Sequence, residues 1–364
     1  MPVDNRVKIW HNTVTMKRVF VGMSGGVDSS VTAALLKQQG YDVTGVYMKN
    51  WTQDLPGVTC PWKDDLRDAR AVAARLEIPF KVYDFEDQYR DRVVDYMIEE
   101  YKAGRTPNPD IMCNQEIKFK LFFETAMADG ADMIATGHYA RVKDGELLQA
   151  VDANKDQTYF LYRVTHEALS KTLLPIGDYT KPQVRELAAQ FNLPTATKKD
   201  SQGICFVGPV GMKAFLQQYV KSTPGPIIMK DGREIGQHQG AIFYTVGQRQ
   251  GLGVGGGKPF YVTGKDMDSN TVYVTDDPED LELSSKSVQL SELSWIDADS
   301  QIDKNYQIRV RHRGELVDAK LDEHNVLHFA KPIKALAAGQ SVVLYDGEKV
   351  LGGGVMTVPQ PVAV

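Results

Sequence analysis

Residues 22 to 30 read GMSGGVDSS and follow the apolar run Val19, Phe20 and Val21. Paired glycines leave backbone N–H groups free to wrap an anion, and a helix starting near Val27 adds partial positive charge at its N-terminus. Ser24, Ser29 and Ser30 offer hydroxyl donors. The stretch lacks the lysine with which a G-x-x-x-x-G-K-[ST] loop bridges β- and γ-phosphates, so it is poorly suited to γ-phosphoryl transfer. Asp28 would repel a bare phosphate and makes sense either beside Mg²⁺ or bonded to loop amides. The same residues also suit a plain strand-to-helix turn with a Ser/Asp cap.

A second set of reactive residues carries carboxyl and thiol groups. Cys113 stands just ahead of a helical pattern and follows Pro107, Asn108, Pro109 and Asp110, a stiff run that can aim a carboxyl and a thiol at one spot. Cys205 follows Asp200, Ser201 and Gly203, and the nearby Lys198 and Lys199 would favour its thiolate, the reactive form. Cys60, in VTCPWKDD, has no comparable setting and reads as an incidental small hydrophobe. Three widely spaced cysteines do not make a disulfide framework, and the absence of a C-x-x-C pair argues against structural zinc. Farther on, Arg309, Arg311 and Arg313 alternate in IRVRHR. Period-two geometry would place all three on one strand face, a basic stripe that could meet a polyanion or blunt a solvated edge.

The elements that must position these residues are legible in the apolar spacing. Strands are expected at 18–22, 42–48, 80–85 and 132–136. Between them, Val27, Val31, Ala34 and Leu35 recur at helical spacing, as do Leu66, Ala69, Ala73 and Leu76, then Tyr89, Val93, Tyr96 and Met97, then Phe119, Phe122, Phe123 and Ala126. Gly40 and Pro79 supply stop signals. This is a βαβ series, hence an N-terminal parallel sheet with helices on both faces, which binds ligands at the carboxyl ends of its strands. KPQVRELAAQFNLP after Thr180 reads as one more helix. From about Ser222 the glycine content is too high for helix, and beyond Ser287 short strands with turns suggest a small barrel or sandwich. Module boundaries are placed near 210 and 285, giving 1–210, 211–285 and 286–364.

At 364 residues, the chain is too long for one ordinary core, and 42% hydrophobic with 24% charged residues reads as soluble and globular. No window approaches the ~20 apolar residues of a membrane span, and residues 1–15 lack both a secretory core and an Arg-rich transit pattern, so a cytoplasmic protein is expected. The net charge of −5 excludes a protein coated in positive charge. Residues 221–265 nevertheless hold six Lys/Arg against two Asp/Glu, a local +4, and 266–285 hold seven acids and no base. A polyanion would therefore meet one face only.

SGGVDS resembles the pyrophosphate loop of N-type ATP pyrophosphatases, in which the loop grips departing pyrophosphate while the substrate is joined to AMP. GRTPNPDIMCNQEIKF (104–119), ATGHYARV (135–142), NKDQTYFL (154–161), KKDSQGICF (198–206) and the run containing YTVGQRQGL (244–252) resemble, in collinear order, the tRNA-specific 2-thiouridylase family. The resemblance implies an adenine nucleotide alpha-hydrolase-like N-terminal domain, a small central tRNA-contacting domain and a C-terminal β-barrel. It implies ATP with Mg²⁺, a tRNA whose wobble uridine is adenylated on its C2 oxygen, and a protein that donates persulfide sulfur. Cys205 would carry the persulfide, Cys113 would free the sulfur and close a disulfide with it, and Asp110 would act as acid/base. The nucleotide would lie on Gly22, Met23, Ser24, Gly25, Gly26, Val27, Asp28 and Ser29, with Met48 and Gly137. Gly137 makes sense where a nucleotide approaches closely. His138 alone would read as a core histidine, but beside Gly137 it is expected near the substrate. For tRNA the resemblance points to Asn108, Pro109 and Asp110, to Lys155, Asp156 and Gln157, and to Arg311, His312 and Gln340. An amide-forming synthetase would share the loop without needing Cys113 or Cys205. A nucleotide-sensing RNA-binding protein would bind ATP without releasing pyrophosphate.

Overall fold

The computed structural model describes residues 16–55, 59–199, 207, 211–255, 257–297 and 304–361. Cys205, with Asp200, Ser201 and Gly203, lies outside the described residues. Strands β1 (Arg18–Gly22), β2 (Asp42–Lys49), β3 (Phe80–Asp84) and β4 (Met133–Thr136) lie close to where apolar spacing predicts them. A hairpin of β5 (Arg141–Lys143) and β6 (Glu146–Leu148) follows, then a short β7 (Thr172–Leu173). The parallel sheet has the order β3-β2-β1-β4-β7. Successive strands step to one side of β1 as far as β3, and β4 then pairs on the other side. The carboxyl ends of β1 and β4 thus flank the switch point where such sheets bind ligands.

Alternation along β1 explains the two covered faces. Val19 and Val21 pack with helices α1 (Val27–Gln38) and α2 (Trp62–Arg75), and with α5 (Lys181–Gln190). Phe20 faces the opposite core, built with α3 (86–102) and α4 (109–128). Asn108 caps α4 by accepting the Asp110 N–H at 3.2 Å, and Pro109 occupies its first turn. Across Cys113–Phe122 the helix is wound as a π-helix, which apolar spacing did not foresee.

A four-stranded sheet, β10-β11-β8-β9, follows, from β8 (Gly225–Met229), β9 (Glu234–His238), β10 (Tyr261–Asp266) and β11 (Thr271–Thr275). The last six strands are β12 (Ser284–Trp295), β13 (Asn305–Arg309), β14 (Val317–Leu321), β15 (Val326–Lys334), β16 (Ser341–Asp346) and β17 (Lys349–Pro361). They run β12-β15-β14-β13-β16-β17, and β17 pairs back onto β12, so the alternative of barrel or sandwich resolves to a barrel. The β5–β6 hairpin extends it, with Leu147 opposite Val350.

Two sequence expectations change. β13 ends at Arg309, and Arg313 takes a left-handed φ of 60° in the following turn, so the three arginines do not share a strand face. The positive stretch before 265 is largely neutralised: Lys230 lies 3.1 Å from Glu282, Lys258 lies 3.2 Å from Asp276, and Lys265 is turned inward onto the Tyr244 carbonyl at 2.7 Å. Burial pulls the Lys265 pKa down to about 8.

Candidate active site

The phosphate-type loop joins β1 to α1 in a conformation that its glycines permit. Gly25 has φ +75°, and a Cβ there would sit 2.3 Å from the Asp65 carbonyl oxygen of α2. Gly26 is the N-cap of α1 with no capping side chain, so the plain Ser/Asp-capped turn does not describe this end. Of the three hydroxyls expected to meet an anion, only Ser24 is exposed. Ser30 Oγ donates to the Gly26 carbonyl at 2.7 Å, and buried Ser29 Oγ accepts the Ser24 N–H at 3.2 Å. Backbone amides and the helix N-terminus remain the anion-facing groups. Asp28 is bonded away from the loop amides: its Oδ1 accepts from Lys181 Nζ at 2.7 Å and from the Tyr139 hydroxyl at 3.0 Å. The loop that lacks a lysine thus stands against one delivered by α5.

Gly137, just past β4, meets the loop from the other side. A Cβ there would lie 2.6 Å from the Ser29 nitrogen, so the missing side chain serves strand-to-helix packing first. Gly22 is similarly confined, with Met48 Cε 2.9 Å from where its Cβ would be. His138, buried, continues from Gly137 towards α4. Its Nε2 is 3.3 Å from Lys118 Nζ and its Nδ1 is 2.7 Å from Thr136 Oγ1. An ammonium only donates, so Nε2 accepts and Nδ1 carries the proton. Burial and the Lys118 charge hold His138 well below the ordinary histidine pKa, hence neutral. Burial also pushes the Asp110 carboxyl up, with Lys118 partly opposing it. Cys113, one helical turn beyond Asp110, is 6% exposed. His138, held against Lys118, thus links Gly137 beside the phosphate loop to the helix that carries Asp110 and Cys113.

The residues expected to touch RNA fall into two groups. Asp156 is 2% exposed and already bonded: Oδ2 accepts the Ala150 N–H at 2.8 Å, while Oδ1 accepts from Thr158 Oγ1 at 2.5 Å and Arg309 at 3.2 Å. Its carboxylate therefore ties the 155–160 segment to β13 and is not presented at the surface. Gln157 accepts the Tyr139 N–H at 2.9 Å, and Lys155 is half-buried beside it. The His312 ring packs tilted against Phe160, with centroids 4.6 Å apart, next to exposed Arg311, so 155–160 and the barrel turn after β13 form one surface. Gln340 lies elsewhere, with its side-chain amide donating to the Thr106 carbonyl at 3.0 Å.

Lys198 does not stand free to activate a thiol, because its ammonium bridges Asp65 at 2.8 Å and Asp68 at 2.6 Å. Cys60 is half-buried and burial pushes its thiol up, away from the reactive form. Sequence reasoning missed Lys181 and Lys118, though each left a signal. Lys181 opens a helix whose positive end disfavours a cation, and Lys118 sits between buried Ile117 and Phe119.

Residues 17–209 match the family described as tRNA methyl transferase HUP domain, residues 213–276 the tRNA methyl transferase PRC-barrel domain, and residues 285–356 the aminomethyltransferase beta-barrel domain. The chain is 47% identical over 349 residues to the tRNA-specific 2-thiouridylase MnmA of Bacillus pumilus, covering 93% of this chain and 94% of the relative. The proteins of the same name from Lactococcus lactis subsp. cremoris (47%, covering 94% and 95%) and Bacillus subtilis (46%, covering 93% and 94%) are similarly close. Among the described residues, no helix is long and apolar enough to cross a membrane.

Proposed function

Because this chain belongs to the tRNA-specific 2-thiouridylase family, we propose a division of labour among its residues for a reaction whose outcome the family defines. The protein is an enzyme that uses ATP to replace oxygen by sulfur at C2 of a uridine in tRNA. The family description speaks of methyl transfer, but the relatives carry the thiouridylase name, and a lysine-free phosphate loop near a thiol suits them.

The C2 carbonyl of uracil is a poor electrophile with a poor leaving group, so its oxygen is first joined to AMP. The amides of residues 22–29 and the α1 N-terminus hold the departing pyrophosphate, with Mg²⁺ brought in on the triphosphate, and Met48 and Gly137 border the nucleotide. Asp110 takes and returns protons at the base, which must be splayed out of its stack to reach the site. Cys205 carries a persulfide loaded by a donor protein. Its terminal sulfur bonds to C2, and AMP leaves with the former uridine oxygen. Cys113 attacks Cys205 Sγ, breaking the S–S bond; sulfur stays on the base and the two cysteines become a disulfide that a dithiol must reduce. Lys155, Gln157, Arg311 and His312 face the RNA, with Asn108 and Pro109 shaping the base pocket. The division into 1–210, 211–285 and 286–364, and a cytoplasmic site of action, belong to the same reading.

The observation that carries it is the run from Ser29 through Gly137 and His138 to Lys118, which ties the anion-binding loop to the helix that bears Asp110 and Cys113. The test uses ATP, Mg²⁺, a persulfide source and unmodified tRNA, followed by nucleoside mass spectrometry. Cys205→Ser should abolish thiouridine while tRNA-dependent AMP formation continues; thiouridine from that variant would remove the persulfide assignment.

A further inference from the structure

Lys118 stands apart from the other cations around the loop. Lys181 is paired with Asp28, Lys198 with Asp65 and Asp68, and Lys49 with Asp84 and Glu86. Lys118, half-buried, has among the described residues a single hydrogen-bond partner, the neutral ring of His138, and no carboxylate within ion-pair distance. An ammonium has three donors, so two N–H bonds and a full charge remain unmatched among the described residues, open to an anionic ligand.

Its placement narrows which anion. Lys118 is five residues beyond Cys113 on the π-wound part of α4, where i→i+5 bonding brings residues five apart onto one face. His138 holds it from the other side. That histidine follows Gly137, which touches the backbone of Ser29 in the first turn of α1. Lys118 therefore lies between the loop that grips the leaving pyrophosphate and the turn that carries Asp110 and Cys113. In a reaction that joins AMP to a base oxygen, the group between those two places is the α-phosphoryl.

We propose that Lys118 binds the α-phosphate of ATP and stays on it through transfer to uridine, with His138 as the positioning residue that fixes its ammonium. This rests on the adenylation reading above. Non-bridging oxygens of a phosphoryl group in transfer gain charge, and a fixed cation there lowers the barrier more than it tightens ground-state binding.

The experiment uses the full-length enzyme and the pair Lys118→Gln and Lys118→Arg. Glutamine keeps a donor for His138 Nε2 and removes the charge, whereas arginine keeps the charge. Calorimetry with AMP and with adenosine isolates the α-phosphate contact. Wild type should prefer AMP, Lys118→Gln should reduce that preference about tenfold or more, and inhibition by pyrophosphate should be unchanged. tRNA-dependent pyrophosphate release should fall roughly 100-fold in Lys118→Gln and recover to within about tenfold of wild type in Lys118→Arg. An AMP preference unchanged in Lys118→Gln, or absent from wild type, overturns the assignment. So does a loss confined to the KM for tRNA, which would put Lys118 on the RNA backbone. If wild-type enzyme releases no pyrophosphate with tRNA, the adenylation reading itself fails, a result distinct from a wild-type enzyme whose Lys118→Gln variant is equally active.

Discussion

Asp110 is pulled two ways: burial pushes its carboxyl up, and the nearby Lys118 charge draws it down by less. A carboxyl raised in the fold favours the protonated form. Its stabilising contribution is full below the unfolded aspartate pKa of about 3.9 and is lost as pH rises through the raised value. At neutral pH the ionised group thus costs stability. Asp110→Asn should melt a few degrees above wild type at pH 7, with the gap closing as pH falls towards 4, while thiolation drops at least ~100-fold for want of an acid/base group. Melting curves at both pH values check this, and a variant that melts below wild type throughout removes the desolvation cost. That Asp110 and Cys113 share one turn was legible in the sequence because Pro107-Asn108-Pro109 leads directly into it, with Asn108 capping the helix; the roles proposed for them come from the family resemblance. The place of Lys181 was not legible, because its partner Asp28 is 153 residues away and only the closed sheet brings the two together.

At the scale of elements, local apolar patterns carried far in the parallel sheet, where β1 to β4 are runs that must be buried. They failed at β13, since alternation in IRVRHR presumes a strand that continues. Instead Arg309 turns inward, 3.2 Å from Asp156 and with its guanidinium 5.2 Å from the Tyr345 ring centre, and the chain leaves the sheet there. The segment 155–157 thus sets a fully buried structural carboxylate between two half-buried side chains. Asp156→Ala would strand a largely buried guanidinium and should cost about 3–5 kcal/mol, read as a large fall in melting temperature. Lys155→Ala should lower melting far less than Asp156→Ala while weakening tRNA binding several-fold, more so at low salt, where phosphate contacts count most. Equal effects of the two variants on melting would dissolve this distinction.

At the scale of the whole molecule, shifts in composition carry no information on how the modules touch. The segment just before Asp110 is where they meet. Thr106 N–H donates to the Ala338 carbonyl at 2.7 Å, its carbonyl accepts from Gln340 at 3.0 Å, and its hydroxyl lies 3.0 Å from that of Thr245. The barrel and the loop between β9 and β10 thus both hold the base of the turn that carries Asp110 and Cys113, through contacts between residues too distant in sequence for any pattern to pair. Under the proposed reading, in which the outer modules hold tRNA and Asp110 moves protons, these contacts would couple RNA binding to the position of Asp110. Removing one neutral hydrogen bond costs only about 1 kcal/mol of stability, whereas a small displacement of an acid/base group costs far more in rate. Gln340→Ala should therefore melt within a few degrees of wild type and keep its KM for ATP, yet lose roughly tenfold or more in single-turnover thiolation at saturating tRNA. Thr245→Val, which removes the other side-chain contact to Thr106, should act in the same direction. If Gln340→Ala instead weakens tRNA binding and regains the full rate once tRNA saturates, Gln340 acts on the RNA and not on the turn.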